Sequence, residues 1–236
     1  VKCPYTQCGC GSDIPIAKAK NKEDLQKYLL LGEKSLKPNG SADSNIQLVS
    51  RTGGQEPTVL WDISRKCNYD CSYCWPAVHN AKEAHKDFEL ILKTCNKIIK
   101  ELAPTLPKLF CFSGGEPTLH PNIKEILEHL KAKQQRTLIT TNGSFKSEKW
   151  KDLVPMISII QMSAHFEFLN IDRFVANILI VLEYMIESPE IQQSIDIKLM
   201  TPPGELQRSI ELKERIYNLK EFVLAKEMKL KYILVS

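Results

Sequence analysis

From Thr58 to Ser236, short apolar runs alternate with amphipathic stretches, and very few folds accept that order. The apolar runs are TVLWDI (58–63), KLFCFS (108–113), RTLITT (136–141), ISIIQMS (157–163), SIDIKLM (194–200) and LKYILV (230–235). Between the first two, DFELILKTCNKIIKEL (87–102) sets Phe88, Ile91, Leu92, Cys95, Ile98, Ile99 and Leu102 on one helical face. Further helices are expected at NIKEILEHLKAK, SEKWKDLV, IDRFVANILIVLEYMIE and ELQRSIELKERIYNLKEFVLAKE. Buried strands that alternate with helices imply a parallel sheet with right-handed crossovers. Six repeats fall short of the eight that close a full barrel. The expected fold is therefore α/β, a partial (β/α)6 barrel of parallel strands, open along one side. Chemistry in such folds sits at the carboxyl ends of the strands.

Residues 1–57 read as a small N-terminal extension, and residues 58–236 as the barrel. The extension has a Cys-rich start (CPYTQCGCGS), one helical stretch (NKEDLQKYLLLGEKSLK) and a polar loop, PNGSADSNIQLVSRTGGQEP. In 236 residues the net charge is +4 without any basic block, so nothing argues for nucleic acid as a partner. The longest apolar run, Phe174 to Ile186, is too short to span a bilayer and is broken by Asn177 and Glu183, so no membrane partner is expected. The opening VKCPYTQCGC lacks the apolar core of a signal peptide. A cytoplasmic location is the expectation.

The loop after the first strand reads CNYDCSYC and holds Cys67, Cys71 and Cys74, separated by three residues and then by two. The chain has eight cysteines, but its large apolar segments make a disulfide scaffold unnecessary, and cysteines three and two apart in a loop are more naturally metal ligands. Thiolates suit zinc or an iron–sulfur cluster. Three cysteines can hold three corners of a cubane cluster and leave one iron open. In the other reading they form a zinc knuckle completed by His79, Cys3, Cys8 or Cys10. A second constellation, SGGEP (113–117), ends the second strand. Its glycines let backbone approach a ligand closely, and Glu116 is a hydrogen-bond acceptor for an ammonium.

C-x3-C-x2-C after a first strand, with aromatic Tyr73 before the last cysteine and GGEP at the next strand end, resembles the radical S-adenosylmethionine (radical SAM) superfamily. The likeness covers Thr58 to Ser236. Its local wording, CNYDCSYCWP with GGEPTLHPN, is similar to the molybdenum-cofactor GTP cyclase and peptide-maturing branches. Cys111 stands where that cyclase carries a substrate-binding Arg. The resemblance implies a 4Fe–4S cluster on Cys67, Cys71 and Cys74, with S-adenosylmethionine (SAM) on the open iron. It implies reductive cleavage of SAM to a 5′-deoxyadenosyl radical that abstracts hydrogen from a small-molecule or peptide substrate. A flavodoxin or ferredoxin would be the electron donor. By the same resemblance Gly114, Gly115 and Glu116 hold the methionyl amino group, and Tyr73 meets adenine, largely through its backbone. Thr140 and Asn142, in TTNG at the end of the third strand, contact the methionyl part or the substrate, and Ser163 meets ribose or carboxylate.

Other readings stand beside this one. Asp196-Ile197-Lys198 resembles a D-x-K motif of glycyl-radical enzyme activases, and a zinc-binding interaction module is the non-enzyme alternative. Cys3, Cys8 and Cys10 are expected to lie away from catalysis. Cys95 is expected in the core, and Cys111 on the barrel side of its strand. His120 and His165 follow strand ends, as substrate contacts or as caps.

Overall fold

The computed structural model describes residues 46–49, 57–75, 79–80, 82–102, 104–188, 193–224 and 233–235. The N-terminal extension up to residue 45, with its expected helix and Cys3, Cys8 and Cys10, lies outside the described residues. Asn45–Ser50 and Glu56–Ser236 belong to one compact unit, and the whole site described below falls within it.

The strands are β1 (Ile46–Val49), β2 (Thr58–Ser64), β3 (Leu109–Gly114), β4 (Arg136–Thr141), β5 (Ile159–His165), β6 (Ser194–Met200) and β7 (Ile233–Val235). The helices are α1 (Phe88–Glu101), α2 (Ile123–Ala132), α3 (Ser147–Leu153), α4 (Ile171–Glu187) and α5 (Leu206–Leu224). The strands form one sheet in chain order, β1 to β7. From β2 to β7 every neighbouring pair is parallel. Sequential order without a reversal is the order of a barrel wall rather than of a doubly wound sheet. The expected α/β architecture, six parallel strands of a partial barrel, is what the chain adopts. β1 departs from the expectation: Ile46–Val49 lies in the stretch read as a polar loop, yet it pairs antiparallel with β2, Ile46 opposite Trp61. Four residues between Asn- and Gly-rich segments are too short a run to separate from loop by composition.

One core joins the helices to one face of the sheet. Val59, Trp61, Ile63, Phe110, Phe112, Ile139, Ile160, Met162, Ile195 and Ile197 pack there against Ile91, Cys95, Ile126, Leu130, Phe174, Val181 and Leu212. Burial alternates along the strands as a period of two demands. The opposite face therefore carries Leu60, Asp62, Cys111, Ser113, Thr140, Gln161, Ser163 and Asp196, a largely polar set. Ser113 Oγ donates to Asp62 Oδ1 at 2.6 Å, Thr140 Oγ1 to Gln161 Oε1 at 3.1 Å, and Gln161 Nε2 to Asp196 Oδ2 at 3.4 Å. Cys95 is buried in the core and Cys111 is buried on the face away from the helices, each as expected.

Helix starts follow local chemistry. Asp87 Oδ1 accepts from Leu90 N at the head of α1, and Asn170 Oδ1 from Arg173 N at the head of α4. Asn177, a polar interruption in an apolar helix, is buried because it holds a loop. Its Nδ2 donates to Gly143 O at 3.0 Å and Phe145 O at 2.8 Å, and its Oδ1 accepts from Ser147 Oγ. That loop leaves the carboxyl end of β4, where the sequence places TTNG. No helix among the described residues is long and apolar enough to cross a membrane.

Asn177→Leu should destabilise the protein by roughly 1–3 kcal/mol, since the Gly143 and Phe145 carbonyls lose their donor. Chemical denaturation of the two proteins measures this, and equal midpoints with equal slopes would show that the loop does not depend on Asn177.

Candidate functional site

The site is built where β2, β3 and β4 end. After Ser64 the chain leaves β2 and carries Cys67, Cys71 and Cys74 in one loop. The loop's base is drawn together by Arg65: its Nε donates to Glu83 Oε2 at 2.9 Å, its Nη2 to Glu83 Oε1 at 3.2 Å, and its backbone N–H to the same carboxylate. The guanidinium holds the Glu83 carboxyl below the usual range, largest through its hydrogen bond. Within the loop, Cys74 N donates to Cys71 O at 2.9 Å, closing a tight turn between these two cysteines.

The GGEP segment packs directly on this loop. Gly115 N donates to Ser64 O at 2.7 Å and Glu116 N to Lys66 O at 2.8 Å. A Cβ on Gly115 would stand 2.2 Å from Lys66 O, and one on Gly114, at φ +111°, the same distance from Ser64 O. Glycine is thus required by the cysteine loop's own backbone, a reason that the motif alone does not disclose.

Glu116 is fully buried and its carboxylate is occupied. Oε1 accepts from Thr118 N (3.1 Å), Thr118 Oγ1 (2.6 Å) and Thr141 Oγ1 (2.8 Å), while Oε2 accepts from Asn142 N (2.6 Å). Burial raises its pKa against the opposing pull of these bonds. Through these bonds Glu116 ties the turn after β3 to the end of β4.

Asn142 is buried as well, and both polar atoms of its side chain have partners within the chain. Oδ1 accepts from Ser144 N at 2.9 Å; Nδ2 donates to Asn68 Oδ1 at 3.0 Å and to Cys67 Sγ at 3.7 Å. Thr140 and Ser163 lie on the sheet face away from the helices, Ser163 in register with Lys198. Tyr73, 40% exposed, has its hydroxyl oxygen 2.9 Å from His165 Nδ1, with the two rings stacked at 13°.

The loop after β5 closes over the cysteines through residues that no motif marks. Glu167 accepts from Ser72 N at 2.7 Å and from the Ser72 hydroxyl. Tyr69 stacks on Phe168 and meets His165 edge-on. The spacing of His165 and Glu167 after the strand is the only trace of this in the sequence, and it has no distinguishing pattern. His120 takes the capping reading: it is buried, with Nε2 3.1 Å from Lys86 O and Nδ1 accepting from Asn122 N.

The three thiols are free and half-buried. Burial raises the pKa of Cys67 and Cys74, and pushes that of Cys71 up to about 11. Among the described residues no three His, Cys, Asp or Glu side chains converge closely enough to hold a single metal ion. His79, offered above as a zinc ligand, has Nδ1 3.7 Å from Asp70 Oδ1.

A model of the radical SAM superfamily matches residues 61–170, a span that includes the cysteine loop, GGEP, TTNG and Ser163. Over that span the chain is similar to the radical SAM superfamily. Its relatives include the Fe-coproporphyrin III synthase of Methanosarcina barkeri, 32% identical over 38% of this chain and 22% of that protein. The S-adenosylmethionine-dependent nucleotide dehydratase RSAD2 of Siniperca chuatsi is 33% identical over 48% of this chain and 32% of its own length. The GTP 3′,8-cyclase of Actinobacillus pleuropneumoniae is 25% identical over 58% and 40% respectively. The chain thus matches well under half the length of each of these relatives. All three relatives are named as enzymes.

If Glu116 serves as the acceptor that joins β3 to β4, Glu116→Gln should destabilise the protein. One amide N–H₂ would then face a backbone or hydroxyl donor, at a loss of roughly 1–3 kcal/mol. A denaturation midpoint equal to that of the unaltered protein would show that the buried carboxylate is dispensable.

Proposed function

We propose that this chain is a radical SAM enzyme that holds a 4Fe–4S cluster on Cys67, Cys71 and Cys74, binds SAM beside it, and acts on a small molecule or peptide. The observation that carries this reading is the cysteine loop braced by the GGEP turn inside the matched span. Gly115 N bonds Ser64 O at 2.7 Å and Glu116 N bonds Lys66 O at 2.8 Å, with both glycines sterically required. A zinc knuckle would explain the cysteines but not this bracing. The donor set fits the cluster: three half-buried thiols on one loop, soft ligands suited to iron–sulfur, with N–H groups aimed at Cys67 Sγ.

When bound, the cluster supplies the electron that cleaves the sulfonium of SAM, giving a 5′-deoxyadenosyl radical able to take a hydrogen atom from substrate. The chain's own part is positioning. Arg65 and Glu83 hold the base of the cysteine loop, and Glu167 fixes Ser72. His165 holds the Tyr73 ring, which supports a role for the Tyr73 backbone in meeting adenine. Thr140 and Ser163, on the face away from the helices, are the side chains offered to SAM or substrate. Glu116 and Asn142 contribute by shaping the site, since their side-chain atoms are engaged within the chain. A flavodoxin- or ferredoxin-like donor would deliver the electron.

Anaerobic reconstitution should give about four iron and four sulfide per chain. Cys71→Ala should lose the brown absorbance and SAM cleavage together. A full cluster retained in that variant, or zinc bound in place of iron during reconstitution, would defeat the proposal.

A further inference from the structure

Cys71 is hydrogen-bonded to the Tyr73 side chain, whereas the sulfur of Cys67 meets two N–H donors. Cys67 Sγ accepts the backbone N–H of Tyr69 at 3.4 Å and the side-chain amide of Asn142 at 3.7 Å. The orientation of that amide is set by its other end. Ser144 N can only donate, so the Asn142 atom 2.9 Å from it is the oxygen, and the atom directed at Cys67 is the nitrogen. The second Nδ2 hydrogen goes to Asn68 Oδ1, and Asn68 Nδ2 in turn donates to Ser144 Oγ at 2.9 Å. Asn142 is held from behind too, because its backbone N–H is bonded to the buried Glu116 carboxylate at 2.6 Å. The amide is therefore a fixed dipole from β4, aimed at a sulfur carried by the loop after β2.

We infer that Asn142 is a positioning residue whose N–H···S bond to Cys67 raises the reduction potential of the cluster held there. This inference rests on the proposed cluster. Hydrogen bonds to ligand sulfur stabilise the more negative, reduced state, and so shift the potential upward. A higher potential makes the reduced cluster easier to reach for a given electron donor. It also makes each electron a weaker reductant, so the residue sets a balance rather than supplying a reacting group. Asn142, carried into the site as a contact for SAM, has no side-chain N–H left for it while these bonds hold.

Two variants test the idea. Asn142→Ser retains an oxygen near the chain for the Ser144 N–H but cannot reach Cys67. Asn142→Asp preserves the oxygen that Ser144 N donates to and replaces only the N–H₂. Each is reconstituted as the full chain. Iron and sulfide are counted, folding is checked by circular dichroism, and the midpoint potential is read by EPR-monitored redox titration without SAM. Both variants should hold the same iron as the unaltered protein and titrate at a more negative potential. An unchanged potential in Asn142→Ser overturns the inference, and so does a shift confined to Asn142→Asp, which would reflect added charge. Folded variants that cannot hold a cluster would make Asn142 a strut and also overturn it. If the unaltered chain itself takes up no iron, the proposed function fails first, and that result is distinct from all of these.

Discussion

A single buried carboxylate holds the site together. Glu116 has no exposure to solvent and receives four hydrogen bonds, two from Thr118 and one each from Thr141 and Asn142. Burying a charge without partners is costly, so the arrangement is tolerated only because every donor is in place. Its consequence is mechanical. The turn after β3 and the end of β4 cannot separate without breaking the bonds from Thr141 and Asn142 to this carboxylate. Through its own backbone N–H, bonded to Lys66 O, the same residue reaches the cysteine loop. Three strand ends thus share one anchor.

Around that anchor the backbone does most of the positioning. The carbonyls of Ser64 and Lys66 sit where the side chains of Gly114 and Gly115 would be, so the cysteine loop and GGEP turn meet as main chain on main chain. Such a contact is short and stiff, and it tolerates no Cβ on either glycine. On its far side the loop is met by side chains from the end of β5, with Glu167 on Ser72 and His165 on Tyr73. The cysteines therefore sit between two supports of different kinds, a close backbone packing and a set of polar and aromatic side-chain contacts. This arrangement holds the loop while leaving the thiols half-buried.

The two sheet faces divide the labour. The helix side is a continuous apolar core, and the other side carries Asp62, Ser113, Thr140, Gln161 and Asp196, joined in two hydrogen-bonded groups. Strand alternation produces that division without further instruction, because every second residue must face away from the core.

Much of this could be read from residue order. The alternation of strands and helices, the parallel sheet, the burial of Cys95 and the face occupied by Cys111 all follow from periodicity, which is local. The resemblance to the radical SAM superfamily followed from cysteine spacing combined with GGEP, two short patterns whose chemistry is borne by residue identity. What sequence could not express was partnership across distance. Nothing in the order of residues says that Glu116 would meet Thr141 and Asn142, that Glu167 would meet Ser72, or that Asn142 would turn its amide toward Cys67. Those pairs lie 25, 26, 95 and 75 positions apart, and only folding the strand ends onto one rim brings them within hydrogen-bond reach. Residue types prescribe which groups are able to bond. Which of them do so is decided by tertiary structure, because a hydrogen bond needs a distance and a direction that only the folded chain provides.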